Sequence, residues 1–194
     1  MRLPTLKPIG IRAPRTMGPG SVSSLLKIAL DVAYVLLMLI TGILLLAFVA
    51  AIFVPMTDAL ADQAVTVGEG SDARQFALTR TLILFGLGAT AAYFAGFLLI
   101  LRQLRLIFRT LIQGDPFMPD NVRRLRQIGL TLAVVTGGVW VAQGLVAARL
   151  APGVMERQGF GELLTPIFSV LVVFVLAEVF REGARLRHES ELTI

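Results

Sequence analysis

The stretch RQLRLIFRTLIQGDPFMPDNVRRLRQIG at residues 102–129 joins two long apolar runs, and it decides how the chain is arranged. It combines six arginines with two acidic residues, Asp115 and Asp120, around a turn that contains Gly114. So many charges cannot lie in hydrocarbon. A basic segment that flanks membrane-spanning helices marks the cytosolic side. The six arginines are Arg102, Arg105, Arg109, Arg123, Arg124 and Arg126.

Composition places the whole chain in the membrane class. The 194 residues are 56% hydrophobic, whereas soluble domains average about 45–50% apolar. Apolar runs at residues 32–54, 81–101, 128–148 and 163–180 are long enough to cross a hydrocarbon core about 30 Å thick. We therefore predict an all-α integral membrane bundle of four transmembrane helices.

The basic residues predict the orientation of these spans. An even number of spans puts both termini on the same side as the basic loop. Of the 18 Lys and Arg, all except Arg74, Arg80, Arg149 and Arg157 then fall on that side. By the positive-inside rule, we expect cytosolic N- and C-termini. The expected location is the bacterial inner membrane, as a multi-pass protein.

The spans divide the chain into three parts. Residues 1–22 form a basic, Pro-rich tail that cannot propagate a helix and has little to bury. Residues 23–187 form the four-helix domain, with a cytosolic loop at 102–127 and an external loop at 56–78. Residues 188–194 form a short cytosolic tail. The first apolar run is longer than the about 7–15 residues of a signal peptide, so we interpret it as a retained anchor.

Several classes of active site are excluded by composition. The chain has no cysteine, and His188 is its one histidine, so thiolate sites and multi-histidine metal sites cannot form. Gly86 and Gly88 lie inside an apolar span and form no phosphate-binding loop. We therefore expect no enzyme and no catalytic, cofactor or metal site. Direct binding of nucleic acid is not expected, because the basic stretch offers no recognition helix free to enter a groove.

Acidic residues near the ends of two spans allow more than one interpretation. Lys27 and Asp31 are one helical turn apart, which favours an interfacial pair within the first helix over a buried proton or ion site. Glu178 lies in the last turn of the fourth run. Local pairing with Arg181, or pairing with a loop arginine, is favoured over a proton-sensitive contact site.

Three features of the helices suggest how they begin, pack and meet the membrane surface. Asp120 or Asn121 can cap the helix that follows the turn. A row of small residues recurs in the second span and lets neighbouring helices, or further copies of the chain, approach closely. The basic face of the second helix can attract anionic lipid headgroups or an acidic protein surface, although topogenic charge alone explains it. The small row is Gly88, Ala92 and Gly96, and the basic face is Arg102, Arg105 and Arg109.

Two motifs carry a resemblance to a known family. The first is Gly-Asp-Pro-Phe at residues 114–117, followed by Asn121 and by Leu-Arg-Gln-Ile-Gly at residues 125–129. The second is Glu-Val-Phe-Arg-Glu-Gly-Ala-Arg-Leu at residues 178–186. Together they resemble the signature loop and the C-terminal motif of a bacterial four-span family, domain of unknown function 2975 (DUF2975). The resemblance extends from the first span onward.

The resemblance implies a non-catalytic role. Genes of that family often stand beside a gene for a small helix-turn-helix regulator of the repressor type. This implies a membrane partner that holds or tunes such a regulator. The alternative is a small oligomeric transport or permeation protein. The candidate contacts for the partner or for lipid headgroups are Arg102, Arg105, Arg109, Pro116, Phe117, Asn121, Arg123, Arg124, Glu178, Arg181, Glu182 and Arg185.

Overall fold

A computed structural model describes residues 22–53, 64–67, 74–77, 79–150 and 159–191. The N-terminal tail before residue 22 and residues 192–194 lie outside this range. Within it, four long helices follow one another along the chain: α1 Val22–Phe53, α2 Arg80–Ile112, α3 Pro119–Leu145 and α4 Leu164–Glu191. A π-helical turn, Val146–Leu150, extends α3, and a 3-10 turn, Phe160–Leu163, leads into α4.

All four helices are long enough and apolar enough to cross a membrane. Many of their large apolar side chains are exposed on the surface of the protein. Leu46, for example, is 72% exposed. Such surfaces suit lipid as the surrounding solvent, because a water-soluble fold would bury them. The predicted all-α, four-span, multi-pass membrane fold is confirmed. The fourth helix continues through Glu191, beyond the point at which we predicted a tail.

The connection between α1 and α2 contains a β-hairpin that we predicted as plain loop. Strand β1 (Ala64–Val67) pairs antiparallel with β2 (Arg74–Ala77), with Val65 opposite Phe76. Each strand is four residues long, too short for an alternating pattern to stand out in the sequence. The rest of this connection lies outside the described residues.

The helices pack in chain order: α1 on α2, α2 on α3, and α3 on α4. The beginning of α1, the turn between α2 and α3, and the end of α4 consequently lie together. We call this the loop end of the molecule. The opposite halves of α2 and α3, beyond Gly96 and Val135, form the far end.

Small residues allow close packing, but not as one row. A Cβ added to Gly96 would lie 2.2 Å from Val135 on α3, so α2 and α3 are closely packed there. A Cβ added to Gly88 would instead lie 3.1 Å from Phe48 on α1. Ala92 is exposed. Gly96 and Gly88 therefore pack against two different helices, whereas the predicted row implied close approach of one neighbouring backbone.

Candidate functional site at the loop end

The turn between α2 and α3 is built around Gly114. This glycine has a φ of +83°, which is favourable for glycine and strained for other residues. Its N–H donates to the carbonyl of Leu111 at 3.1 Å, and the Asp115 N–H donates to the carbonyl of Thr110 at 3.1 Å. This pair of bonds is the Schellman arrangement, which satisfies the last carbonyls of a helix. The turn that we predicted around Gly114 is confirmed, and the helix before it ends at Ile112.

Asn121 holds the turn from the inside. Its side chain is completely buried. Its Nδ2 donates to Thr110 Oγ1 at 2.7 Å and to the Pro116 carbonyl at 2.9 Å, while its Oδ1 accepts from Arg124 at 2.9 Å. Thr110 in turn donates to the Ile107 carbonyl. Asn121 thereby joins the end of α2, the turn and the first turn of α3.

The prediction that Asp120 or Asn121 caps α3 was wrong. Helix α3 begins at Pro119, Met118 occupies the capping position, and no side chain makes a capping hydrogen bond. Proline at the first helical position supplies no N–H, and the Asn121 N–H, which a capping side chain could have bound, donates to the Met118 carbonyl at 2.9 Å. The amide of Asn121 is directed toward α2, and Asp120 lies 4.0 Å from Arg124 on the surface.

Arg105 is set apart from the other basic residues of α2. It faces α1, where its guanidinium contacts Asp31 at 2.6 Å and lies 4.4 Å from the ring centre of Tyr34. Asp31 therefore pairs across two helices, and the predicted pair between Lys27 and Asp31 was wrong. Sequence spacing shows neighbours on one helix, whereas this pair depends on how α1 and α2 are packed.

Arg124 also points inward, contacting Asn121 and approaching the Leu106 carbonyl at 3.4 Å. The four other loop arginines are exposed, and their side chains make no ion pair or hydrogen bond within the part of the chain that the structure describes. Two of the six loop arginines thus hold the fold, and the other four are available to a partner or to lipid. The exposed four are Arg102, Arg109, Arg123 and Arg126.

The charges of α4 are paired along the helix. Glu178 contacts Arg181, as the local-pairing interpretation predicted. Glu182 pairs with Arg185, whose guanidinium also contacts Glu189 at 2.8 Å. The paired side chains of residues 178–185 are all half exposed or more. This face is therefore nearly neutral, in contrast to the arginines of the loop.

Phe117 and Asp115 join the loop to α4. The Phe117 ring lies 5.5 Å from the Phe180 ring, and a Cβ added to Gly183 would lie 2.6 Å from Phe117. Asp115 forms an ion pair with Arg187. The two motifs that carried the resemblance are thus packed against each other. Thr110, Asp31 and Tyr34 were missed as partners, because no sequence pattern links them to the residues they contact.

As far as the structure describes the loop end, it holds no metal site. Among the described residues, no group of three or more His, Asp or Glu side chains could hold a metal ion. The chemistry available there consists of guanidinium groups, carboxylates, one buried amide and a few exposed apolar side chains.

The chain matches a known protein family. The family described as "Protein of unknown function (DUF2975)" matches residues 70–194, which is more than half of the chain. The matched range includes the turn, Asn121 and all of α4, and it excludes α1, although we expected the resemblance to begin at the first span. No curated protein and no solved structure matches the chain.

Proposed function

We propose that this chain, which belongs to the DUF2975 family, is a non-catalytic membrane protein that binds and modulates a small cytosolic helix-turn-helix transcription regulator. The observation that carries the proposal is the packing of the signature turn on the C-terminal helix. Phe117 lies against Gly183, and Asp115 pairs with Arg187. We call the resulting surface, residues 113–120 with residues 178–190, the platform.

The platform has the composition of a protein-binding surface. Phe117, Met118 and Leu186 are 38%, 37% and 54% exposed, which provides an apolar centre. The exposed loop arginines and the ion pairs of α4 lie at the same end of the molecule. An apolar centre with a charged rim is the usual anatomy of a protein interface. The charges set the choice of partner and its approach.

The buried residues have a different role in this proposal. Asn121 is completely buried, so it supports the shape of the turn and does not touch the partner. Arg124 supports Asn121 in the same way. Exposed Phe117 is the apolar anchor. Among the predicted contact residues, the exposed ones therefore touch the regulator. The buried Asn121 and its neighbour Arg124 hold these exposed residues in position.

The proposal requires that the protein lies in the inner membrane of a bacterial cell and that its loop end faces the cytosol. The excess of Lys and Arg at that end supports this orientation. A fluorescent protein fused after Ile194 tests it, because that reporter folds into its fluorescent form in the cytosol and not after export to the periplasm. Fluorescence is expected, and its absence with normal membrane levels would contradict the orientation.

Site-specific cross-linking in native cells tests the binding of a regulator. A photoreactive residue at Phe117 or Arg181 is expected to capture a small DNA-binding protein. The matched control is Val141, which is 53% exposed at the far end and should capture none. No adduct at either platform position, or the same adduct at Val141, would contradict the proposal.

Transport is the competing function, and the far end bears on it. A groove of about 610 Å³ lies between α2 and α3 there, with Thr90, Tyr93 and Gln143 as its polar residues among the described part of the chain. The remaining lining is apolar, which is unlike the polar pathway that ions require. Flux of ions or solutes in liposomes, without recovery of a regulator, would favour transport over the proposal.

A further inference from the structure

We propose that a crevice between α1 and α2 at the loop end binds the phosphate group of an anionic phospholipid. Basic residues from two helices meet there. The site is separate from the platform, and the proposal requires only that the helices cross a bilayer. The crevice is lined by Lys27, Leu30, Asp31, Arg105, Phe108, Arg109 and Ile112.

The charges around the crevice do not cancel. Asp31 is engaged by Arg105 at 2.6 Å, so its negative charge is already paired. Lys27 and Arg109 are exposed and have no ion-pair partner within the described ranges. Two positive charges from different helices therefore remain beside a pair that is neutral as a unit. A phosphate diester, with its single negative charge, complements this arrangement.

Arg105 gives the crevice a fixed wall. Its guanidinium contacts Asp31 on one side and the Tyr34 ring on the other, and these two contacts hold it in place. Its Nε is buried without a hydrogen-bond partner among the described residues. Buried donors in folded proteins nearly always have partners. The unmatched donor adds to the positive potential at the wall of the crevice.

The shape of the crevice favours a lipid over a soluble anion. The enclosed space is about 10 Å³, so a headgroup must lie across the opening instead of entering it. Leu30, Phe108 and Ile112 extend the lining with apolar surface. Acyl chains can follow that surface along the helices, which a free phosphate cannot do. Each basic residue near a charged leaflet contributes about 1 kcal/mol to lipid attraction.

Native mass spectrometry of the purified full-length chain in detergent micelles tests the site. The probes are phosphatidylglycerol, which is anionic, and phosphatidylcholine, which is zwitterionic. The double variant K27Q/R109Q removes the two unpaired charges. The matched control R123Q/R126Q removes two exposed arginines from α3 at the same end. Both variants have the same net charge.

The K27Q/R109Q variant is expected to bind phosphatidylglycerol about 25-fold more weakly, since each basic residue accounts for about fivefold. Binding of phosphatidylglycerol by R123Q/R126Q, and binding of phosphatidylcholine by every variant, should change little. Equal losses in the two double variants would show diffuse charge attraction and overturn the proposal. Unchanged binding in K27Q/R109Q would overturn it as well.

Competition identifies the source of the phosphate. Millimolar inorganic phosphate is expected to leave phosphatidylglycerol bound, and complete displacement would overturn the assignment to a lipid. Lys27 and Arg109 make no ion pair in the described structure, so K27Q/R109Q should unfold at the same temperature as the parent chain. If it unfolds at a lower temperature, the single variant R109Q replaces it. R109Q is expected to bind phosphatidylglycerol about fivefold more weakly, and unchanged binding would contradict the site.

Discussion

The two ends of the helix pair α2–α3 are held in different ways. At the loop end, a buried amide, a glycine turn and two inward-facing arginines join α2 to its neighbours. At the far end, grooves of about 610 Å³ and about 580 Å³ flank the same helices. Gly137, Gly138 and Gly144 lie there, and a Cβ added to any of them would meet nothing within 4 Å.

The difference follows from the solvent. In lipid, apolar side chains gain no hydrophobic free energy when helices associate, so close packing and polar contacts must select the neighbours. The loop end has both. The far end has mostly small and apolar residues, so lipid or another chain can fill its grooves without loss. Among the described residues, the side-chain hydrogen bonds that join α2 to α3 therefore lie at the loop end, where the family motifs lie.

The strongest test of this comparison is Asn121→Ala. The substitution removes the bonds to Thr110, Pro116 and Arg124 and leaves buried polar groups unpaired, at an expected cost of about 3 kcal/mol. Thermal unfolding in detergent micelles, followed by the fluorescence of Trp140, measures the loss. Arg123→Ala, two residues away on the exposed surface, is the control and should change the midpoint little. A midpoint for Asn121→Ala equal to that of the control would refute the importance of the network.

The second test compares two glycines of the α2–α3 pair. Gly96→Ala places a methyl group against Val135 and is expected to cost about 2 kcal/mol through overpacking. Gly137→Ala meets open space and should be neutral or stabilising by up to about 1 kcal/mol, because alanine favours a helix. Thermal unfolding midpoints of the two variants provide the comparison.

Val135→Ala is the check on that mechanism. Combined with Gly96→Ala, it opens the space that the new methyl group needs, so the two effects should not add. Additive losses would mean that the close contact between Gly96 and Val135 is not the cause. If Gly96→Ala and Gly137→Ala destabilised the protein equally, the close packing of α2 on α3 at Gly96 would not differ in effect from the open space at Gly137.

The third test concerns the joint between the turn and α4. Gly183→Ala forces Phe117 to shift, since the added carbon would lie 2.6 Å from its ring. We expect a loss of about 1 kcal/mol, because an exposed ring can move aside at a modest cost. Gly161→Ala, in the 3-10 turn that leads into α4, is the control, because a Cβ there meets open space. The chain has no cysteine, so a disulfide between Phe117→Cys and Gly183→Cys can report the contact directly. Failure of this pair to cross-link would contradict the joint.

The smallest expected effect is at the ion pair between Asp115 and Arg187. Both side chains are partly exposed, at 34% and 45%, so breaking the pair with Asp115→Asn should cost less than about 1 kcal/mol. Raising the salt concentration should reduce the difference from the parent chain. A loss as large as that of Asn121→Ala would show that the ion pair, and not the buried amide, holds the loop end together.

Two features, one in the loop and one on α4, could be predicted from local sequence alone. The end of α2 follows from a glycine and two prolines within six residues, which no helix continues through. The pairing of Glu178 with Arg181 follows from their spacing on one helix. In both cases the interacting groups are close along the chain, so a short window contains all the information.

The number of membrane spans and the all-helical fold were determined by the sequence itself, because span length and apolar content are properties of single segments. Only the tertiary structure decided which arginines face inward and which stay exposed. Arg102 and Arg105 have the same chemistry and lie one turn apart, yet only Arg105 meets Asp31. Each helix can rotate about its own axis without changing its composition. The packing of α1 on α2 selects one rotation, and that choice places the charges.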